Sequence, residues 1–238
     1  RREDGQGTDR HGQGQVNLWG GRMNEQWELT PEKFLDRGEI ASLLRKADEL
    51  WSLGELRKRK DWVRDAFLIH TALSTGLRNS EICDLKVSDL RIGNGSSYLI
   101  VRNGKGSKQR RVHFGTEYKR LLKRYLVWKE SQGELEADAH LLRTKRSPRF
   151  CKSALWRRWT KYCPQKTLHS ARHTFATLTY AASGQNLRLV QKALGHSRIT
   201  TTQIYADVMP EVAVAAANSM ERLVRGIARQ SSICTQSA

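Results

Sequence analysis

The chain has 238 residues, in which 42 Lys and Arg outnumber 24 Asp and Glu for a formal net charge of +18. That length suits one domain of ordinary size and excludes a large multidomain assembly, while the charge points to a polyanionic partner, nucleic acid foremost. The Ala/Val run from Val212 to Ala217 falls far short of the roughly 20 apolar residues of a membrane helix. The four cysteines form no CxxC pair, so neither a zinc ribbon nor a dense disulfide framework is indicated, and a soluble cytoplasmic protein is expected.

Residues 1 to 29 read as a flexible tail or linker; the first 21 of them hold six glycines and almost no apolar periodicity, too little to offset the entropy of ordering. Asp36 with Glu39 three residues on forms a capping-box pattern, and Ile40, Leu43, Leu44, Ala47 and Leu50 follow at helical spacing. A second helix is predicted over Asp61 to Thr75, ended by Gly76 in a left-handed conformation, and a third from Asn79 or Ser80 to Leu85. Three extended stretches come next, Val87 to Ile92, Tyr98 to Arg102 and Arg110 to Phe114, separated by Gly/Asn clusters. Further helices are predicted near 116 to 131, 150 to 162, 170 to 183, 186 to 194, 199 to 205 and 210 to 229. The expected fold is mainly α with a small antiparallel three-stranded β-sheet, and residues 231 to 238 form a C-terminal tail.

From Arg143 to Arg172 there are ten Lys or Arg and no Asp or Glu, with Phe150, Trp156, Trp159 and Tyr162 interleaved. A basic face on an apolar-backed helix suits phosphate tracking along DNA; a merely solvated basic surface is the competing explanation, and the whole-chain charge tilts the balance toward binding. Trp156 and Trp159 are expected to serve packing rather than base stacking.

A metal-dependent nuclease would need clustered carboxylates, and a nucleotide triphosphatase a GxxxxGKS/T loop; the sequence has neither. It has instead an ordered series: Thr75-Gly-Leu-Arg78-Asn-Ser-Glu81, Asn103-Gly-Lys105-Gly-Ser-Lys108, His169-Ser-Ala-Arg172-His-Thr-Phe-Ala-Thr, Leu194-Gly-His196, and Tyr205 nine positions later. No one of these is specific; their order and flanking residues together are.

Over roughly residues 30 to 228 the chain resembles the tyrosine recombinases, the phage-integrase and Xer-like family. The resemblance implies a tyrosine recombinase catalytic domain over residues 30 to 230; the family usually carries a separate N-terminal core-binding domain as well, for which this sequence has no room, so that either the domain has been lost or this is a compact variant. It implies catalytic roles for Arg78, Lys105, His169, Arg172, His196 and Tyr205, with Glu81 supporting the first arginine or the hairpin. Arg78 and Arg172 would clamp the scissile phosphate, as planar guanidiniums do through paired hydrogen bonds. Tyr205 would attack phosphorus to give a 3′-phosphotyrosyl link, conserving bond energy for the reverse step. Lys105, with Lys108 as the nearby competitor, would protonate the leaving 5′-oxygen. His169 would assist proton transfer, and His196 would hold a non-bridging oxygen. Contacts to DNA are expected from Lys108, Arg110, Arg111, Lys152, Arg157, Arg158 and Lys161, and His173 is left a structural residue.

No cofactor and no metal are expected. The partner is double-stranded DNA, engaged by a homotetramer on two sites through an exchanged C-terminal helix hinged at Met209-Pro210, with accessory proteins possible and no membrane. Two other functions share parts of the pattern: a type IB topoisomerase, which shares the chemistry, and a DNA-binding accessory protein that no longer cuts. The LGH segment and the HTFAT helix favour the recombinase over the topoisomerase, and the filled set of six catalytic positions disfavours the non-cutting protein.

Overall fold

The structure, a computed structural model, describes residues 33–102, 109–145 and 147–205. Helix α1 spans Arg37–Leu56. Its start is the predicted capping box: the Asp36 carboxylate accepts from the Glu39 N–H at 2.7 Å, and the Glu39 carboxylate from the Asp36 N–H at 2.8 Å. Helix α2, Lys60–Thr75, is buried almost all round because it lies at the centre of the molecule, packed against α1 and three later helices. It ends at Gly76 with φ +57°. A Cβ there would sit 2.3 Å from the Phe175 ring, so both the conformation and the space require glycine.

Helix α3, Asn79–Asp84, leads into a three-stranded antiparallel sheet of order β1-β2-β3, with β1 at Leu90–Arg91, β2 at Ser97–Val101 and β3 at Arg110–Phe114. Leu99 pairs with Leu90 on one side and Val112 on the other, and Leu99, Val101 and Val112 turn inward. The strand predicted over Val87 to Ile92 is mostly absent. Residues Val87–Asp89 form a 3₁₀ turn, because the Asp89 carboxylate caps the Lys86 N–H at 2.9 Å and the N–H groups of Val87 and Ser88 donate to the carbonyls of Ala139 and Ala137.

The remaining helices are α4 (Thr116–Ser131), α5 (Lys152–Tyr162), α6 (Leu168–Ala182), α7 (Leu187–Leu194) and the single turn α8 (Thr200–Gln203). Helix α6 starts two residues earlier than predicted because the Thr167 hydroxyl accepts from the Ser170 N–H at 3.2 Å. The main core is aromatic at its middle: Phe67 stacks on Tyr125 with centroids 3.7 Å apart, and the Tyr125 hydroxyl donates to the Leu141 carbonyl at 2.7 Å. Trp159 belongs to this core as expected, whereas Trp156 remains 53 % exposed. Trp159 follows Leu155 by four residues and so shares its inward stripe, whereas Trp156, the next residue after Leu155, is turned about 100° round the helix. A second apolar cluster joins Ala176 and Tyr180 of α6, Val190 and Leu194 of α7, and Tyr205. No helix among the described residues is long and apolar enough to cross a membrane.

Candidate active site

The site forms where the ends of α2 and α7 meet the start of α3, the first turns of α6 and the edge of β3. The carbonyls at two of those helix ends hold Arg172, which donates to Gly76 O at 2.6 Å and to Leu194 O at 2.8 Å. These are terminal groups that helices leave without internal partners, so one guanidinium satisfies two exposed ends and is itself fixed at only 2 % exposure.

Arg78, the residue before α3, is fixed by Glu81. That carboxylate accepts from the Arg78 backbone N–H and from its Nη1, both at 2.8 Å. The same carboxylate takes a two-pronged grip from Arg110, Nη1 and Nη2 each at 2.7 Å, while Arg110 Nε donates to Ala193 O at 3.0 Å. Gly195 makes room for this: a Cβ would lie 2.7 Å from Arg110 Cδ, and its φ is +67°. Arg78 also reaches Gly195 O at 3.4 Å. Glu81 therefore ties α3 to β3 and, through Arg110 and Arg78, to the α7 end. Three guanidiniums against one carboxylate leave a net positive cavity suited to a phosphodiester.

The electrostatic consequences follow. Burial, with Arg78 alongside, pushes the Arg172 guanidinium down to about 10. The Glu81 carboxyl, despite burial, is held down to about 2 by Arg110 and Arg78. Burial and the nearby arginines lower His169, and take His173 and His196 down to about 4. Burial raises the Tyr205 phenol to about 12, with Arg172 and Arg78 opposing. At neutral pH the site thus holds uncharged imidazoles and a protonated phenol.

Tyr205 sits among three histidines. Its hydroxyl lies 3.0 Å from His173 Nδ1, His173 meets His169 edge-on with centroids 4.6 Å apart, and the His196 ring stacks toward Tyr205 at 6.4 Å. His196 Nδ1 is 3.1 Å from the Thr202 hydroxyl, which fixes the ring against α8. Sequence reasoning left His173 outside the site; its spacing of four residues from His169 on one helix was the available signal.

The other expected positions divide. Lys105 and Lys108 lie outside the described residues. Arg111, Lys152, Arg157 and Lys161 are exposed, with Arg111 over the Tyr98 ring. Arg110, expected on DNA, has its guanidinium committed to Glu81, and Arg158 pairs with the buried Asp65 at 3.0 Å. No group of three His, Cys, Asp or Glu among the described residues is placed to hold a metal ion.

These shifts predict acid sensitivity in two windows. His173 and His196 have folded pKa values of about 4 against an ordinary 6.5, so an unfolded chain binds their protons first. Their stabilising contribution is complete above pH 6.5 and is lost as pH falls toward 4, by about 2 kcal/mol each at pH 5. Glu81 adds a contribution complete above about 4.5 and lost between there and 2, about 3 kcal/mol in all. Denaturant unfolding at pH 7.5 and 5 should show the first loss, and His196→Gln should shrink it by about 2 kcal/mol; equal stability at both pH values would rule this out.

Residues 33–211 match the Phage integrase family, and the chain belongs to that family. It is 37 % identical over 152 residues to tyrosine recombinase XerD of Chlamydia pneumoniae, covering 61 % of this chain and 48 % of that protein. It is 33 % identical over 177 residues to tyrosine recombinase XerA of Pyrococcus furiosus, covering 70 % and 59 %. The chain thus spans about half to three fifths of the length of these curated relatives. Among solved structures, XerA recombinase superposes with a TM-score of 0.62 at 27 % identity, covering 79 % of this chain and 64 % of that one. The XerH site-specific recombinase bound to difH substrate in a pre-cleavage complex gives 0.61 at 26 %, covering 79 % and 53 %. The mostly helical architecture with its three-stranded sheet is the tyrosine recombinase catalytic-domain fold.

Proposed function

We propose that this chain is the catalytic part of a site-specific DNA recombinase that cuts and rejoins strands through Tyr205. The observation that carries the proposal is the convergence, on a frame pinned by Glu81, of Arg78 and Arg172 from segments 94 residues apart with Tyr205 and its three histidines. In the step proposed, Tyr205 Oη bonds to phosphorus and the P–O5′ bond breaks. The phenolic proton passes to a neighbouring imidazole, and the departing 5′-oxygen takes a proton from Lys105. Arg78 and Arg172 neutralise the non-bridging oxygens as charge builds, with His196 hydrogen-bonding one of them. Because the 3′-phosphotyrosyl link conserves the bond energy, a second strand's 5′-hydroxyl reverses the step without a nucleotide cofactor.

A relative named as a tyrosine recombinase and a solved structure described as a site-specific recombinase bound to its substrate in a pre-cleavage complex support this function over strand relaxation or a non-cutting role. The partner is double-stranded DNA, held by Arg111, Lys152, Arg157 and Lys161. Assembly as a tetramer on two sites through the segment 210 to 229, and cooperation with accessory proteins, belong to the same proposal.

The test is incubation in EDTA with a randomised duplex library bearing a nick that traps cleavage. A protein–DNA adduct that survives denaturation is expected, and sequencing the trapped strands begins to define the site. Binding without any adduct would overturn the catalytic assignment.

A further inference from the structure

Three consecutive carbonyls at the C-terminal end of α7 each accept from a different guanidinium. Ala193 O takes Arg110 Nε at 3.0 Å, Leu194 O takes Arg172 Nη2 at 2.8 Å, and Gly195 O takes Arg78 Nη2 at 3.4 Å. A helix C-terminus leaves its last carbonyls without internal partners and carries partial negative charge, so this row of oxygens gathers cations that would otherwise repel one another. Arg78 and Arg172 are the two assigned to the phosphate, and Arg110 has no part in that chemistry. It spends three of the five N–H groups of a guanidinium on Ala193 O and the two Glu81 oxygens. Its side chain is 10 % exposed, against 27 % for Arg78.

We infer that Arg110 is a positioning residue for the phosphate clamp, acting through Glu81 and Arg78 without touching DNA: it balances the charge of Glu81, so that the charge of Arg78 is left for the substrate. The inference rests on the recombinase reading proposed above. Both Glu81 oxygens are shared between the two arginines. Oε1 accepts from Nη1 of Arg78 and Nη1 of Arg110, and Oε2 from the Arg78 backbone N–H and Arg110 Nη2. Without Arg110, the buried Glu81 carboxylate would face Arg78 alone, and a closed one-to-one pair would meet a phosphodiester with its positive charge already cancelled. With Arg110 in place, two guanidiniums share one carboxylate, and the surplus charge is available at Arg78, the more exposed of the two. Arg110 also fixes the α7 end against β3 through Ala193 O, and Gly195 lacks the Cβ that would lie 2.7 Å from Arg110 Cδ. His196 follows directly, so the same side chain anchors the segment that carries that imidazole.

The test measures single-turnover adduct formation and equilibrium binding for the full chain on a duplex recovered from the nicked library. Arg110→Gln should form the adduct at least about thirtyfold more slowly than the parent, short of the roughly hundred- to thousandfold typical of losing a direct donor. Duplex affinity should stay within about twofold, because Arg110 makes no phosphate contact. Adding Glu81→Gln removes the unbalanced carboxylate and should restore about tenfold in rate, although it deletes further bonds of the same frame. A merely structural Arg110 predicts the opposite, since the double variant keeps fewer bonds than the single one and would be slower still. Arg110→Lys keeps the charge without the fork and should lie between the parent and Arg110→Gln; if Arg110→Gln does not fold, Arg110→Lys and the double variant carry the comparison. The inference is overturned if Arg110→Gln matches the parent in rate, or if the double variant is slower than the single. Affinity lost in step with the rate would make Arg110 a DNA contact instead. A parent that binds duplex without forming any adduct fails the recombinase reading, and this inference with it.

Discussion

Arg172→Ala is expected to slow formation of the covalent adduct by at least about a thousandfold while weakening duplex binding less than about tenfold. Two of the five N–H donors of a guanidinium are spent on Gly76 O and Leu194 O, and those bonds fix the plane in which the remaining donors can meet a phosphate. Removing a single preorganised donor from a developing oxyanion costs about a hundred- to a thousandfold in rate; here a full charge goes as well. Binding should suffer less because the proposed phosphate contacts are spread over the exposed Arg111, Lys152, Arg157 and Lys161, and Arg172 itself is 2 % exposed. The substitution also strands two helix-end carbonyls, a loss of about 1–3 kcal/mol, so unfolding curves must show the variant folded at the assay temperature. Arg172→Lys restores the charge without the fork and should recover little. Single-turnover adduct formation measures all three proteins, and a rate for Arg172→Ala within tenfold of the parent would remove this residue from the chemistry.

What was legible in the sequence was what is encoded locally. The Asp36–Glu39 box and the Gly76 stop depend on residues three or four apart, and both appear as read. The 3₁₀ turn at Val87–Asp89 was misread as strand because its partners, the carbonyls of Ala137 and Ala139, are about fifty residues away. Lys129 looks like one more solvated base on a helix, yet it is 0 % exposed and donates to His140 O at 3.0 Å. In the candidate site, Arg78, His169, Arg172, His196 and Tyr205 lie together, with Lys105 outside the described residues, but the frame that orients them was hidden. Arg110 was indistinguishable from its basic neighbours, and only the fold brings it across 29 positions to Glu81. His173 adjoins a motif residue and was passed over, because proximity to the Tyr205 hydroxyl depends on how α7 and α8 return the chain to α6.

Tyr205→Phe is expected to give no adduct at all, with duplex affinity within about twofold of the parent. The substitution removes one oxygen from a side chain that is 1 % exposed, and its hydrogen bond to His173 Nδ1 is worth about 1 kcal/mol, so the fold should persist. At pH 7 a phenol with a pKa of about 12 exists as phenolate in roughly one molecule in 100,000, so attack requires the proton to be taken up as the bond to phosphorus forms. His173, at about 4, and His196, also at about 4, stay neutral from pH 6 upward, so an imidazole acceptor is fully available across that range. The parent's single-turnover rate should therefore be nearly flat from pH 6 to 9. A climb of tenfold per pH unit would instead mean that preformed phenolate carries the reaction and that the histidines around Tyr205 take no proton from it.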